Sequence, residues 1–307
     1  MEKRILAIVN PLSANGVTAK EWPGIQKEIE KANIFIDVEY TKYPTHATEI
    51  ARKALKSCYD IILSVGGDGT INEILNGFFE NNYIIRDNAY LGVLSKGTGC
   101  DFSRTLNLGD RANDIIKILT NINSIECDVG KGKFVNYDGK VTERYFLNIS
   151  DVGIGAETTF RVNRNSKILK GFLSFLLGAV FTILTFKNKN LQITIDEDIK
   201  INGKKSCVVI ANGKYFGGGM LVAPNAELDD GLFDVVILGD FTKLEFLANF
   251  PKIYKGTHLE HLKVDCYRGR KVRISSSERV LIEFDGEQPG IIDAEFEIIP
   301  KAIKVLI

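Results

Sequence analysis

Residues 60–80 read DIILSVGGDGTINEILNGFFE, and the order within this stretch decides the fold class. Asp60 to Val65 forms an apolar run of strand length, continuous enough to argue burial on both faces. Gly66-Gly67-Asp68-Gly69-Thr70 follows without a spacer, and a helical pattern begins at once. Three glycines in four residues let the chain turn tightly and approach a ligand with no Cβ in the way. The N–H groups of such a turn, with the helix N-terminus behind it, make an anion site suited to phosphate. Asp68 is the odd member. A carboxylate there repels a phosphate unless it holds Mg²⁺, directly or through water, or takes a proton during transfer. The plain alternative is an Asp-Gly turn followed by a capping threonine. Neither GxxxxGK[ST] nor GxGxxG occurs anywhere in the chain.

The same alternation extends outward. Upstream lie a strand at Lys3 to Val9, helix at Ile25 to Ala32, strand at Phe35 to Tyr40, and the helix HATEIARKALKS, which Thr45 is placed to cap. Downstream come the strand AYLGVLS and the helix RANDIIKILT. This order predicts a parallel sheet with helices on both faces. A second glycine turn, SKGTGCDFSRTL at Ser95 to Leu106, follows its strand directly. Gly97 and Gly99 flank Thr98, whose hydroxyl could reach a phosphate or ribose, and Asp101 opens a helix with Arg104 one turn on. Asp101 could equally be only an N-cap. Asn10-Pro11-Leu12-Ser13 after the first strand is a common turn by itself, but it falls at the same carboxyl edge, where ligands bind in open α/β folds.

After Ser124 the period changes. SIECDVGKGKF, RYFLNISDVG, LQITID, SCVVIANG, LFDVVILG, KVRISS and RVLIEFDG are short strands broken by Gly, Asn and Asp turns. Helical stretches interrupt them around 160–186 and at TKLEFLANFPKIY. The expectation is an α/β chain: an N-terminal parallel-sheet nucleotide-binding domain over residues 1–125 and a C-terminal antiparallel β-sandwich domain over 126–295. A cleft between two such domains is a common place for an active site.

Composition narrows the function. The 307 residues carry 39 Lys+Arg against 39 Asp+Glu, so nothing suits a nucleic-acid backbone, and any polyanion must be met locally. Hydrophobic residues at 45% and charged residues at 25% exclude a disordered tail. Five scattered cysteines without a CxxC pair argue against zinc and a disulfide framework and suit a reducing cytoplasm. The N-terminal apolar run is too short for a signal-peptide core. Gly171 to Phe186 is an uncharged stretch spanning ~24 Å as a helix, short of the ~30 Å hydrocarbon core. A helix buried between layers is expected, with one lying in a membrane surface as the alternative. Lys96, Arg104, Lys167 and Lys170 are candidate cations for a transferred phosphoryl group, though surface roles suit them too. His258 and His261 read as exposed helix residues, and Trp22 as packing.

Together NPLS, GGDGTINE, GTGCDFSR, YFGGGMLVAPNAELDDGLFDVVIL and FDGEQPG resemble the diacylglycerol kinase catalytic-domain superfamily, in particular the soluble bacterial lipid kinases similar to diacylglycerol kinase B. The resemblance covers essentially the whole chain. It implies two domains, with a last strand over 296–307 returning to the first. It implies ATP contacts at Asn10, Pro11, Leu12, Ser13, Ala14, Thr41, Gly66, Gly67, Asp68, Gly69, Thr70, Ile71, Asn72 and Thr98. Asp68 and Asp101 would support the metal of MgATP. Glu287 falls where the family's proton acceptor is usually assigned, whereas related sphingosine kinases assign that role to the Asp68 position. Glu227, Asp230 and Leu232 fall where these enzymes hold a structural Mg²⁺. Three positions depart from the pattern: Ala14 replaces a glycine, Cys100 an asparagine, and Gln288 is inserted before Pro289.

The expected activity is γ-phosphoryl transfer from ATP to a lipid hydroxyl, with diacylglycerol leading and sphingoid bases, ceramide or undecaprenol-like alcohols behind it. The expected setting is cytoplasmic with peripheral membrane contact, and family resemblance leans towards a homodimer. NAD kinase, which shares the GGDGT turn, is the competing enzyme. A non-catalytic nucleotide- or lipid-binding module is the third reading.

Overall fold

The computed structural model describes residues 3–97, 99–165 and 172–307, with side chains described except at 164–165 and 172–176. Two compact units emerge: 1–128 with 301–307, and 129–300.

The first unit is a five-stranded parallel sheet. In spatial order its strands are 301–306 (the end of Glu287–Leu306), Tyr90–Ser95, Ile61–Gly66, Ile5–Val9 and Asp37–Tyr40. All four pairings are parallel. Strand 61–66 is buried along its whole length, as its unbroken apolar sequence requires in a sheet covered on both faces. Ile5, Ala7, Val9, Ile61, Leu63 and Val65 point to one face and pack with Trp22, Ile29, Ile115 and Ile118 from the helices Val17–Lys31 and Ala112–Asn121. Helices His46–Lys56 and Asp68–Phe78 cover the other face. Thr45 does not cap the first of these: its backbone is left-handed and its side chain makes no capping bond. Glu73 takes that role instead, accepting the Thr45 and Ala47 amides at 2.8 and 3.1 Å.

The second unit is an antiparallel sandwich. Strands Val264–Gly269, Phe233–Leu238, Cys207–Ala211, Ile149–Gly153 and Leu281–Phe284 follow one another in space. Lys189–Ile195, Ile199–Lys205 and Lys271–Ser275 belong to the opposing layer. Between them sits an aromatic core in which the Phe146 ring lies 5.7 Å from Phe233, 5.8 Å from Phe284 and 6.3 Å from Phe296. Each such ring contributes about 1.5–3 kcal/mol by leaving water. Gly132 makes room for them, since a Cβ there would lie 2.2 Å from the Phe284 ring; Gly132→Ala would overpack this core.

Strand 207–211 is buried on both faces for a simple reason. Val208 and Ile210 enter the aromatic core, while Cys207, Val209 and Ala211 face a second cluster with Ile183 and Phe241. Helices Ile154–Asn165, Phe172–Thr185 and Lys243–Ile253 belong to this covered face. Thr242 starts the last of them with a reciprocal cap, its hydroxyl accepting the Glu245 amide at 3.2 Å and Glu245 accepting the Thr242 amide at 2.8 Å.

Helix 172–185 is not enclosed as expected. Ala179, Thr182 and Ile183 are buried, but Leu177, Phe181 and Leu184 stand exposed on the opposite side. His258 is also corrected: it is buried in a single helical turn, Thr257–Glu260, with Nε2 3.1 Å from the Val222 carbonyl.

Candidate active site

In the first unit three turns meet at the carboxyl ends of strands 5–9, 61–66 and 90–95. After the first, Asn10 accepts the Leu12 amide on Oδ1 at 3.1 Å and donates from Nδ2 to Thr70 Oγ1 at 3.1 Å. Ser13 donates to the Asn10 carbonyl at 2.8 Å. Ala14, Asn15 and Gly16 are all left-handed, which folds the turn into the following helix. At Ala14 that conformation strains an L side chain.

The second and third turns touch through glycine. A Cβ on Gly97 would lie 2.8 Å from the Gly67 Cα, and one on Gly66 2.5 Å from Thr70 Oγ1. Asp68, the first residue of its helix, turns its carboxylate across to the other turn. Oδ2 accepts the Asp101 amide and Oδ1 the Phe102 amide, both at 3.2 Å. Burial pushes the Asp68 carboxyl above its ordinary range, opposed by those amides and by Arg104. A half-buried carboxylate held by fixed donors and raised in this way is disposed to receive a cation or a proton. Asp101 is buried and pairs with Arg104 at 2.5 Å. Cys100 precedes it in a left-handed conformation, its thiol 3.3 Å from the Gly97 carbonyl. Burial pushes that thiol up, with Asp68 and Asp101 adding to the effect.

Asn10, Ser13, Gly66, Gly67, Asp68, Thr70 and Asp101 therefore share one sheet edge. Thr41 continues that edge, its amide bonded to the Val9 carbonyl at 2.9 Å. Pro11 and Gly69 are half-buried and Leu12 is exposed, whereas the Ile71 and Asn72 side chains are buried behind the turn. Thr98, Lys167 and Lys170 lie outside the described residues. Lys96 is not a solvated surface cation, being mostly covered and paired with Glu21 at 2.9 Å. Thr18 was missed from sequence. Its hydroxyl is 3.0 Å from Ser13 Oγ and 3.3 Å from the Lys96 carbonyl, joining the first turn to the third.

In the second unit Asp285-Gly286 is a two-residue hairpin turn, left-handed at both positions, the geometry for which Asp-Gly is favoured. Asp285 fixes it by accepting three amides: Leu147 at 2.9 Å, and Asn148 and Ile149 at 3.0 Å each. Glu287 follows, exposed. The inserted Gln288 forms a bulge. Phe284 pairs with Glu287 but Ile282 with Gly290, so Gln288 and Pro289 stand against Glu283 alone. The Gln288 amide donates to the Ile282 and Gly290 carbonyls at 3.2 and 2.5 Å, which ties the extra residue into the sheet.

The acidic loop departs from an ion-binding arrangement. Asp230 accepts the Leu232 amide at 3.0 Å and pairs with Arg268, which also reaches Asp234 at 3.6 Å. A guanidinium thus neutralises the side chain that a resident ion would need. With Arg268 on it, the Asp230 carboxylate does not fit a bound Mg²⁺ as it stands. Asp68, with both oxygens on amides, fits a hydrated cation better than direct coordination.

Residues 4–132 match the diacylglycerol kinase catalytic domain, and residues 148–307 match the YegS C-terminal NAD kinase beta sandwich-like domain. The chain belongs to the diacylglycerol kinase family. It is accordingly a lipid kinase that uses ATP. A diacylglycerol kinase of Bacillus subtilis is 28% identical over 305 residues, covering 99% of this chain and 96% of its own. One from Staphylococcus carnosus is 26% identical, covering 99% and 95%. Among solved structures, a diacylglycerol kinase from Bacillus anthracis superposes with a TM-score of 0.71 at 20% identity, covering 99% and 96% of the two chains. An NAD kinase from Archaeoglobus fulgidus in complex with ATP reaches 0.53 at 13% identity, covering 98% and 92%. These structural likenesses establish a shared fold. Among the described residues of this family member, no helix is long and apolar enough to cross a membrane.

Proposed function

We propose that this kinase converts diacylglycerol to phosphatidic acid, with MgATP held at the edge formed by Asn10, Ser13, Gly66–Thr70 and Asp101. The observation that carries the reading is the Asp68 carboxylate, half-buried between two touching glycine turns and aimed by the Asp101 and Phe102 amides. The glycine turns leave backbone N–H groups free of Cβ obstruction, as a triphosphate needs. Mg²⁺ arrives with the nucleotide and neutralises charge on the phosphates when bound. Asp68 and Asp101 would hold its hydration shell, and Arg104 pairs with Asp101 beside them.

Glu287 takes the proton of the lipid hydroxyl in this reading. It is exposed on a turn that Asp285 anchors rigidly, the arrangement a general base needs. The lipid is met at a membrane surface. Leu177, Phe181 and Leu184 present one exposed apolar face of helix 172–185, with Arg161 stacked 5.3 Å over the Phe181 ring. An exposed apolar stripe of this kind suits peripheral contact with a bilayer surface.

The test is labelled ATP with purified protein, a panel of lipid alcohols in mixed micelles, and NAD alongside. Labelled phosphatidic acid is expected. Labelled NADP, or preference for another alcohol, would replace this assignment. Proton acceptance by Glu287 is tested by Glu287→Gln, which should abolish turnover; full activity would move that role to Asp68.

A further inference from the structure

Beneath helix 154–165 the sandwich buries two acids that the chemistry above does not use. Asp151 and Glu283 are directly opposite each other on the antiparallel strands 149–153 and 281–284, and both are almost fully enclosed. Their side chains share the helix-covered face, because neighbouring Val152, Ile282 and Phe284 point into the aromatic core. The Cys207 thiol from the adjoining strand approaches Asp151 Oδ1 at 3.7 Å, and Asp285 faces Glu283 from the turn. Among the described side chains of the overlying helix the charged ones, Glu157 and Arg161, pair with each other at 2.9 Å. No Lys or Arg among the described residues acts on either acid.

Two adjacent carboxylates in so dry a place cannot both be ionised. Burial and the facing carboxyl push Glu283 well above the usual range and Asp151 up as well. The remaining contacts show what the pair holds. Glu283 Oε2 accepts the Gly286 amide at 2.7 Å, and Asp151 Oδ1 accepts the Ala156 amide at 2.7 Å at the start of the helix. From the same helix Asn163 donates to the Gly286 carbonyl at 3.2 Å. The bulge at Gln288 and Pro289 lies opposite Glu283, so the ladder is interrupted where this contact is made.

We propose that Asp151 and Glu283 share one proton, and that this singly protonated latch makes Glu283 a positioning residue which sets the turn carrying Glu287. The inference rests on the role given to Glu287. Glutamine at 283 reproduces the protonated acid: its carbonyl accepts from Gly286 and its amide donates to Asp151. Leucine fills the space but leaves the Gly286 amide unpaired. In alkaline solution the shared proton is lost, two buried charges repel, and the turn is released.

The experiment measures kcat and the ATP KM across pH for Glu283→Gln, Glu283→Leu and Glu287→Gln, with diacylglycerol in mixed micelles. Glu283→Gln should keep kcat within about threefold near neutrality and lose the alkaline fall expected of the native enzyme. Glu283→Leu should lower kcat at least about tenfold with the ATP KM unchanged, the scale expected when a reacting group is displaced. Infrared spectra should show a buried carboxylic-acid carbonyl band that Glu283→Gln removes. Native kcat in Glu283→Leu, or an alkaline fall and acid band unchanged in Glu283→Gln, would overturn the latch. If the leucine variant fails to fold, the glutamine profile and spectrum decide. A fully active Glu287→Gln would instead overturn the role of Glu287, whatever the Glu283 variants do.

Discussion

The carboxylate of Asp68 bridges to the backbone of Asp101, accepting its amide at 3.2 Å while the next amide, of Phe102, takes the other oxygen at the same distance. A residue on one glycine turn thereby fixes the start of the helix after the other. Asp68→Asn keeps the shape but turns an amide N–H against one of two donors. The expected result is a fall in kcat of about 10²-fold or more, read with labelled ATP. Thr18→Val, which unlinks Ser13 from the Lys96 carbonyl, should instead raise the ATP KM about fivefold, the worth of one hydrogen bond. Equal effects on kcat and KM in both variants would contradict this division.

Ala14 and Cys100 occupy left-handed positions, at φ 50° and 53°. Ala14→Gly should raise stability by about 1 kcal/mol, the strain of an L side chain there, measured by urea unfolding. The Cys100 thiol, pushed up by burial, should react with alkylating agents at neutral pH far more slowly than the exposed Cys58.

Arg268 supplies the positive charge beside Asp230. Chelators should therefore leave the melting temperature of the native protein unchanged. Arg268→Gln should lower it and make it respond to added Mg²⁺. Chelator sensitivity in the native protein would show that an ion resides in this loop.

Phe181→Glu and Leu177→Glu put charge on an exposed apolar face. Both should weaken sedimentation with anionic vesicles and slow phosphorylation of vesicle-borne lipid, while a short-chain soluble diacylglycerol remains a good substrate. Unaltered vesicle binding would remove that face from the membrane contact.

His258 is buried, and burial lowers it from 6.5 to about 4. A histidine held neutral in the folded state contributes stability above its unfolded value, and that stability is lost as pH falls from 6.5 towards 4. The loss should reach up to about 3 kcal/mol at the acid end. His258→Gln should flatten the unfolding free energy over this window; an identical slope would contradict the assignment.

The architecture was legible wherever period and burial coincide. Strand 61–66 is apolar throughout and both faces are covered; strand 207–211 is apolar for the same reason, serving two clusters at once. The glycine turns were legible because close backbone approach admits no other residue at Gly97, where a Cβ would meet Gly67. Thr18 was not, since a lone threonine in a helix has no spacing signature and its role depends on two turns distant in the chain. Thr45 had the right chemistry for a cap, but Glu73 on a neighbouring helix reached those amides first. The pairing of Asp151 with Glu283 follows from strand register, which local pattern does not reveal. The exposed side of helix 172–185 was equally hidden, because a helix apolar all round gives no hint of which face is left uncovered.

Residues 301–306 complete the parallel sheet, with Lys304 and Val305 aligned to Tyr90 and Leu91, and the Lys301 amide is pinned by Asp128 at 2.7 Å. On the ribosome these residues emerge only after the entire sandwich has been translated. A nascent chain must therefore carry strand 90–95 as an open edge, prone to pairing with other chains, throughout synthesis of the intervening lobe. The portion made first is the last to be sealed, so chaperone demand should peak late in elongation.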